Sequence, residues 1–301
     1  MENREFWLEK RLRELDPDLH RRYTDTVVAL HMTLGGYLRV FPEYTDHSEI
    51  HALSVIQTCN EILDENRKYD LNADEIYVLL MGCYLHDIGM GITSADYLEF
   101  IAGKGDGYAG LDETASIEEI QREVRSHHNE FSAAFIWKYA RLFDFPSEKH
   151  TFAVAQITKG HRKVDLFDEE EYPSSIKLDN GNSICLPYLA ALVRIADEID
   201  VSADRNPDIL FNLLTVTTDH QKMEFAKHDA IRKITTESDS FILHIDCTDE
   251  KVYGQVMRLL GKVKATLDYS VSVIEKRTPY SVKQNKIIIQ INGERKELMD
   301  E

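Results

Sequence analysis

Six polar residues fall on the apolar stripes of predicted helices, and this set constrains the fold more than any other feature of the sequence. Buried imidazoles and carboxylates are unfavourable unless another group compensates them. Bound metal is one cause that explains the whole set, because it requires the helices to pack with these side chains toward a common centre. The set comprises His51, His86, Asp87, His128, His161 and Asp197.

Helical periodicity places these residues on or beside buried faces. Three apolar residues follow His51 after four, eight and eleven positions, all within about 80° of it on an ideal helix. His86 and Asp87 end the almost wholly apolar run 76–85, which predicts a helix buried on most sides. Apolar residues also stand four and seven positions before His161. The pattern therefore indicates inward-facing ligands.

The fourth position of the set has two candidates, because two histidines are adjacent. His128 shares a stripe with Phe131 and Phe135, whereas the stripe through His127 leads to Lys138. We therefore favour His128 as the inward-facing residue.

Each residue of the set also has a simpler explanation when it is taken alone. A single histidine on an apolar face is commonly a hydrogen-bonded core residue, and Asp197 could form a buried ion pair with Arg194 or Arg205. The joint pattern favours metal. A set of imidazoles and carboxylates suits Mn, Fe, Ni or Zn in a mixed nitrogen and oxygen site, rather than zinc in a thiolate site.

The spacing of apolar residues predicts a mainly α fold with a small C-terminal α+β unit. We divide the chain into a helical domain over 1–210 and a small α+β domain over 211–301. The predicted helices of the first part lie near 5–15, 18–40, 47–66, 73–88, 116–142, 147–160 and 186–200. In the second part we predict a hairpin of 231–236 and 240–247, a helix near 249–276 and a strand near 287–291.

Two stretches of the predicted helical domain lack a clear period. Residues 93–115 are rich in glycine, including the run GKGDGYAG at 103–110, and residues 164–183 are acidic. Irregular stretches of this length in a compact domain are commonly lids or flexible insertions.

The overall charge limits the classes of partner. Lys and Arg number 35 against 53 Asp and Glu, a formal net charge of −18. Duplex nucleic acid and anionic membranes are therefore disfavoured, whereas a phosphorylated substrate is compatible if bound metal supplies a local positive field. The four cysteines form no C-x-x-C pair, and we find neither a signal peptide nor a membrane span, so we expect a cytoplasmic protein.

The local sequences around the six residues resemble the HD superfamily of metal-dependent phosphohydrolases. The stretch DHSEIHALSV resembles the first-histidine helix of that superfamily, LLMGCYLHDIG its His-Asp helix and LVRIADEID its final-aspartate helix. The stretches HHNEFSAAFI and ITKGHRK resemble the two extra histidine segments of the members that bind two metals. The resemblance covers about residues 45–205 and leaves out the C-terminal unit.

The resemblance implies a helical HD domain with two divalent metal ions, of Mn, Fe, Ni, Zn or Mg, at its centre. His51, His86, Asp87 and Asp197 would hold one ion, and Asp87 would bridge to a second ion held by His128 and His161. The sequence departs from the HD-GYP branch, because Met90 stands where that branch usually has lysine and no GYP triplet follows His161. Cleavage of cyclic dinucleotides is therefore not expected.

The expected activity is metal-dependent hydrolysis of a nucleotide or other phosphoester by activated water. Asp87, Lys159 and Arg194 are the predicted catalytic residues, the last two as phosphate contacts. The alternatives are an HD-type di-iron oxygenase and a regulatory or binding module. Asp46 and His47 suit a helix cap or a substrate contact, and the C-terminal unit could form a homo-oligomer.

Overall fold

The computed structural model describes residues 6–34, 49–102, 115–202, 219–291 and 293–299. Within these residues the fold is mainly α with a small C-terminal sheet, which confirms the predicted fold class. The helices of the described part are α1 (Trp7–Leu15), α2 (Pro17–Leu34), α3 (Glu49–Ile62), α4 (Ala73–Leu85), α5 (Ser94–Ile101), α6 (Ile117–Lys138), α7 (Glu148–Gly160), α8 (Leu186–Ile199), α9 (Asp219–Asp229) and α10 (Glu250–Arg277).

Helix α4 lies at the centre of the helical body. All its residues except Ala73 are buried, as its apolar run predicts, and it packs against α1, α2, α3, α7 and α8. A capping box between Asn72 and Glu75 starts the helix. No single helix of the described part has the length and apolar composition to cross a bilayer, although the bent pair 73–91 and 94–101 meets that criterion when taken together.

The C-terminal sheet has four strands in sequential order: β3 (Ile231–Thr236), β4 (Ser240–Ile245), β5 (Lys286–Ile291) and β6 (Glu294–Glu297). Strands β3 and β4 form the predicted antiparallel hairpin. Strand β5 runs parallel to β4, and α10 provides the crossover that a parallel pair requires. Helix α10 packs along α8, so the sheet unit lies against the helical body.

One hydrophobic core continues from the helical body into the C-terminal unit. It includes Leu12 of α1, Leu260 of α10 and Ile287 of β5. The backbone also connects the two parts, because the amide of Lys283 donates a hydrogen bond to the Ile62 carbonyl across 2.8 Å. The predicted boundary between residues 210 and 211 falls in segment 203–218, outside the described residues, and stays a prediction.

The two stretches without a clear period contain regular structure. Helix α5 lies inside the predicted irregular stretch 93–115, where Thr93 and Asp96 form a capping box at its start. Residues 103–114, which include the glycine-rich run, are outside the described part. In the stretch 164–183, β1 (Ile176–Lys177) pairs with β2 (Ser183–Ile184) as a short hairpin.

Candidate metal centre

The structure brings all six predicted ligands together in the helical body. Three of the ligand positions follow a break in a helix: the His86-Asp87 pair follows α4, His161 follows α7, and His128 follows a kink at His127 within α6. A ligand at a helix end can turn toward the bundle centre without interrupting the backbone ladder. The remaining two ligands are His51 near the start of α3 and Asp197 near the end of α8.

Four of these residues form the first ligand group, made of His51, His86, Asp87 and Asp197. Nε2 of His51 lies 3.1 Å from Nε2 of His86 and 3.1 Å from Oδ1 of Asp197. Oδ2 of Asp87 lies 3.3 Å from Nε2 of His86 and 3.7 Å from Nε2 of His51. Two nitrogens and two carboxylate oxygens thus surround one point.

The second ligand group consists of Asp87, His128 and His161. Oδ1 of Asp87 lies 3.2 Å from Nε2 of His128 and 3.7 Å from Nε2 of His161, and the two Nε2 atoms are 3.0 Å apart. Asp87 therefore directs one carboxylate oxygen to each group, which is the arrangement of a bridging ligand.

Hydrogen bonds to backbone carbonyls fix the orientation of three of the imidazoles. Nδ1 of His86 donates to the carbonyl of Cys83, three residues earlier, across 2.8 Å. Nδ1 of His161 donates in the same way to Thr158 across 2.5 Å, and Nδ1 of His128 donates to Arg125 across 2.8 Å. Carbonyls at a helix end lack an intrahelical partner and are available for such bonds.

The fourth imidazole, of His51, is oriented by a carboxylate instead. Nδ1 of His51 donates to Oδ2 of Asp200, which is 9% exposed, across 2.7 Å. In all four histidines Nδ1 is thus assigned the hydrogen, and Nε2 directs its lone pair into the cluster. A second partner of this kind is typical of metal-ligating histidines.

These tautomers make the cluster suited to cations. Lone pairs on pairs of Nε2 atoms face each other at 3.0 and 3.1 Å, beside carboxylate oxygens, an arrangement that repels itself unless a positive charge lies between the atoms. Two ligand atoms each about 2.1 Å from one ion, at about 90 to 125°, are about 3.0 to 3.7 Å apart. The separations in both groups therefore fit a divalent metal.

The electrostatics of the cluster agree with this chemistry. Burial disfavours a charged His86, but the negative charges of Asp87 and Asp197 outweigh it and raise the pKa of His86 well above its usual value. Burial together with the neighbouring His128 and His86 lowers the pKa of His161 well below its usual value. The carboxylates thus favour a positive charge at the centre, and a divalent ion competes with protons for that position.

The chain matches the HD-CE family, an HD-type domain, over residues 41–279. It belongs to the HD-CE family. The match continues beyond residue 205 and includes β3, β4 and α10, so the C-terminal unit is largely part of what defines this HD-CE domain. Neither the curated proteins nor the solved structures contain a match to the chain.

The kink in α6 separates the two adjacent histidines of this HD-CE domain. His127 has non-helical dihedral angles, φ −125° and ψ 16°. Its Nδ1 faces the backbone carbonyl of Glu123 at 3.3 Å, and its ring contacts Phe131, whereas His128 joins the second ligand group. The structure thus places His128 and not His127 at the cluster.

A close backbone contact fixes the His-Asp segment against α6. A β-carbon on Gly89 would lie 2.3 Å from the His128 carbonyl oxygen and 2.4 Å from the Ser132 amide nitrogen, so only glycine fits. The amide of Gly89 donates to the Ser132 hydroxyl, which donates to the His86 carbonyl at 2.6 Å. Gly89 thereby fixes the position of the His86-Asp87 pair relative to His128.

A cavity of about 160 Å³ opens onto the cluster. Its wall includes Asp87, His128 and Asp197, together with Met90 from the position where the sequence departs from HD-GYP proteins. Four cationic residues and two acidic residues also line it, although the chain as a whole is strongly acidic. They are Arg125, Arg162, Lys227, Lys262, Glu198 and Glu224.

The two predicted phosphate contacts have other partners in the structure. Nζ of Lys159 lies 2.8 Å from Oε2 of Glu171, and Lys159 does not belong to the wall of this cavity. Arg194 is buried and donates through Nε to the Gly160 carbonyl and through Nη2 to the Val164 carbonyl, both at 2.8 Å. Arg194 therefore supports the segment around His161, and within the described residues it forms no ion pair with Asp197.

Several residues at the site are not found by the helical-stripe argument. Asp200 is one, and the only sequence signal for it is the spacing of two aspartates three residues apart in ADEID. Arg125 and the C-terminal lysines are others, since their positions depend on tertiary packing. Asp46, His47 and Arg205 lie outside the described residues.

Proposed function

We propose that this HD-CE domain is a metal-dependent phosphohydrolase that cleaves a nucleotide or another phosphoester. The observation that carries the proposal is the shared ligand Asp87, whose oxygens divide between two metal-binding groups that open into a cavity lined by cationic residues. This combination suits a reaction in which negative charge develops on phosphoryl oxygens beside the cluster.

The charge of the ligand set favours an anionic substrate. The two groups contain Asp87 and Asp197 as their carboxylates, and their remaining ligands are imidazoles, which bind a metal ion in the neutral form. Two divalent ions would therefore leave positive charge uncompensated in a buried place, where it acts strongly because water screens it little. A phosphate group would compensate that charge.

The side chains of the domain have distinct parts in this reaction. Divalent ions in the two groups would supply Lewis-acid charge and lower the pKa of a bound water. Asp87 keeps both groups together, Asp200 holds Nε2 of His51 toward the centre, and Arg125 and Arg162 attract phosphate oxygens at the cavity wall. A protein nucleophile is not required.

The described residues include one hydrogen-bonded series of serine, histidine and aspartate, and its role is structural. The Ser147 hydroxyl lies 2.8 Å from Nδ1 of His150, whose Nε2 lies 2.8 Å from Oδ1 of Asp74. Ser147 also caps α7, and Asp74 accepts from Asn180 and Asn182. This network joins the starts of α4 and α7, so covalent catalysis through Ser147 is not proposed.

The test is a screen of metals against substrates. The purified protein is stripped of metal, reloaded with Mn, Fe, Ni, Zn or Mg, and assayed for phosphate release from nucleotides and simple phosphoesters. We expect at least one metal to support release, and we expect Asp87→Ala to abolish it. Asp179→Ala is the control, because Asp179 is exposed and forms a surface ion pair with Lys149.

Two outcomes would contradict the proposal. Release that survives Asp87→Ala would refute the role given to Asp87. Two bound irons with oxygen consumption, and no phosphate release from any substrate, would favour an oxygenase instead.

A further inference from the structure

A second cavity adjoins the metal centre and has no part in the reaction described above. Its volume is about 280 Å³, and its wall includes the ligand His161. Helix α10 contributes Ala265, Thr266 and Tyr269, which come from the C-terminal unit. We infer that this cavity binds the organic group of the substrate, an inference that rests on the proposed phosphohydrolase function.

The two cavities are adjacent and share part of one wall. Arg162, Glu198 and Lys262 line both of them. Nζ of Lys262 and Oε1 of Glu198 form an ion pair of 2.7 Å, with the Lys262 side chain 56% exposed and that of Glu198 13% exposed. A ligand with its phosphate at the cluster can therefore extend past this ion pair into the second cavity.

The chemistry of the second cavity differs from that of the first. Most of the exposed surface of the second cavity is apolar, although charged residues such as Lys163 and Arg194 also line it, whereas most of the exposed surface of the first cavity is polar. The Tyr269 ring is held in place, because its hydroxyl donates to Asp165 at 2.8 Å and the Arg194 guanidinium packs 5.1 Å from its centre. A rigid wall of this kind suits a bulky, partly apolar group.

These features define a substrate class. The substrate is a phosphate ester or anhydride whose phosphate meets the metal centre and whose bulky organic group, of mixed polarity, meets α10. Inorganic phosphates and small phosphate esters would use only the first cavity. The C-terminal unit thereby becomes the part of the HD-CE domain that selects the substrate.

The inference is tested by calorimetric binding of a graded series of probes to the metal-loaded protein. The probes are methyl phosphate, phenyl phosphate, 1-naphthyl phosphate and adenosine monophosphate. We expect affinity to rise with the size of the organic group, by about tenfold or more from methyl to 1-naphthyl phosphate, because apolar surface leaves water. Phosphate release is measured in parallel with the same probes.

Substitutions at one exposed position of α10 test where the organic group binds. Ala265→Phe fills the second cavity and should remove the gain with size, while the affinity for methyl phosphate stays within about twofold. Ala265→Ser keeps the cavity open and should keep the gain. Gly254→Phe is a second control, because a β-carbon there meets nothing within 4 Å and Gly254 lines neither cavity.

The outcomes separate this inference from the proposed function. Affinity that does not rise with size, or a gain that survives Ala265→Phe in a folded protein, overturns the inference. A gain with size but no phosphate release refutes the phosphohydrolase proposal alone. Phosphate release together with equal affinities for all probes refutes the inference alone. If no probe binds, both the inference and the proposed function are overturned.

Discussion

The Asp200 carboxylate accepts a hydrogen bond of 2.7 Å from Nδ1 of His51, a residue 149 positions away in the chain. Asp200 stands three residues after Asp197, so the end of α8 provides both a ligand and the group that orients another ligand. A carboxylate in this position fixes the imidazole tautomer and increases its basicity as a ligand.

Replacement of this carboxylate should weaken metal binding without removing a ligand. For Asp200→Ala we expect the affinity of the first ligand group to fall by about 10- to 100-fold. A competition titration with a chelator measures the affinity. Asp179→Ala, in an exposed ion pair with Lys149, should leave it unchanged. An unaltered affinity in Asp200→Ala would mean that His51 is oriented by other contacts.

Substitution of each of the two adjacent histidines of α6 should change the number of bound metal ions differently. His128→Ala removes a ligand from the second group and is expected to lower the bound metal from two ions to one. His127→Ala removes a ring packed on Phe131 and its contacts with Glu123 but no metal ligand, so it should retain both ions. Metal analysis of the purified variants measures this. Loss of an ion in His127→Ala alone would reverse the assignment.

The residues that flank His161 should differ in their effect on substrate binding. Arg162 lines the cavity at the cluster, so Arg162→Ala is expected to raise KM by about tenfold without loss of metal. Lys159 is paired with Glu171 outside that wall, so Lys159→Ala should change KM little. Steady-state kinetics at two salt concentrations checks both. A larger effect of Lys159→Ala would restore it as the phosphate contact.

Glycine at position 89 should be required for stability. In Gly89→Ala the new methyl group meets backbone atoms of His128 and Ser132, and overpacking of this kind costs about 1 to 3 kcal/mol. Urea denaturation measures the free energy of unfolding. Gly261→Ala is the matched control, because nothing lies within 4 Å of its β-carbon, and this change in α10 should stabilise the protein by about 1 kcal/mol. Equal effects of the two substitutions would contradict the steric argument.

Glu75 should make the stability of the protein depend on pH. Burial raises the pKa of Glu75 from 4.5 to about 7, although hydrogen bonds from Asn72, Cys185 and Tyr280 oppose the shift. Between these values the folded protein keeps a proton that the unfolded chain has lost. The stability associated with Glu75 is therefore fully present below 4.5 and is lost as the pH rises through about 7.

Glu75→Gln tests this dependence with a side chain of the same shape. Between about pH 5 and about pH 8, the wild type should lose up to about 3 kcal/mol more unfolding free energy than the variant. Denaturation in urea at both pH values gives the comparison, and titrations shared by the two proteins cancel. If the unfolding free energies of wild type and variant changed equally with pH, Glu75 would be ionised in the folded state.

The ligand set could be predicted from the sequence because a helical stripe is a local property. The spacing of apolar residues around His51 and Asp197 identifies their faces without knowledge of the partners. Asp200 could not be found in this way, since its role depends on a histidine from a distant helix. Helix α5 could have been found, because Thr93 and Asp96 carry the spacing of a capping box, but the glycine-rich run after it suggested a continuous loop.

The positions of Lys159 and Arg162 show a second limit of sequence patterns. Both residues flank His161, and both carry the charge that a phosphate contact needs. Lys159 belongs to the last turn of α7 and extends toward Glu171 of the following segment, whereas Arg162 lies beyond the helix end, where the chain turns along the cavity. The path of the chain after a helix end is set by tertiary contacts such as those of Arg194.

The single carboxylate shared by the two ligand groups makes their occupancies interdependent. The first group has Asp197 in addition to Asp87, whereas the second has no other carboxylate. An ion in the first group draws on the negative charge of Asp87, so a later ion meets a poorer ligand set. We therefore expect metal to enter the first group before the second, so that the concentration of available metal would decide whether the second group is occupied.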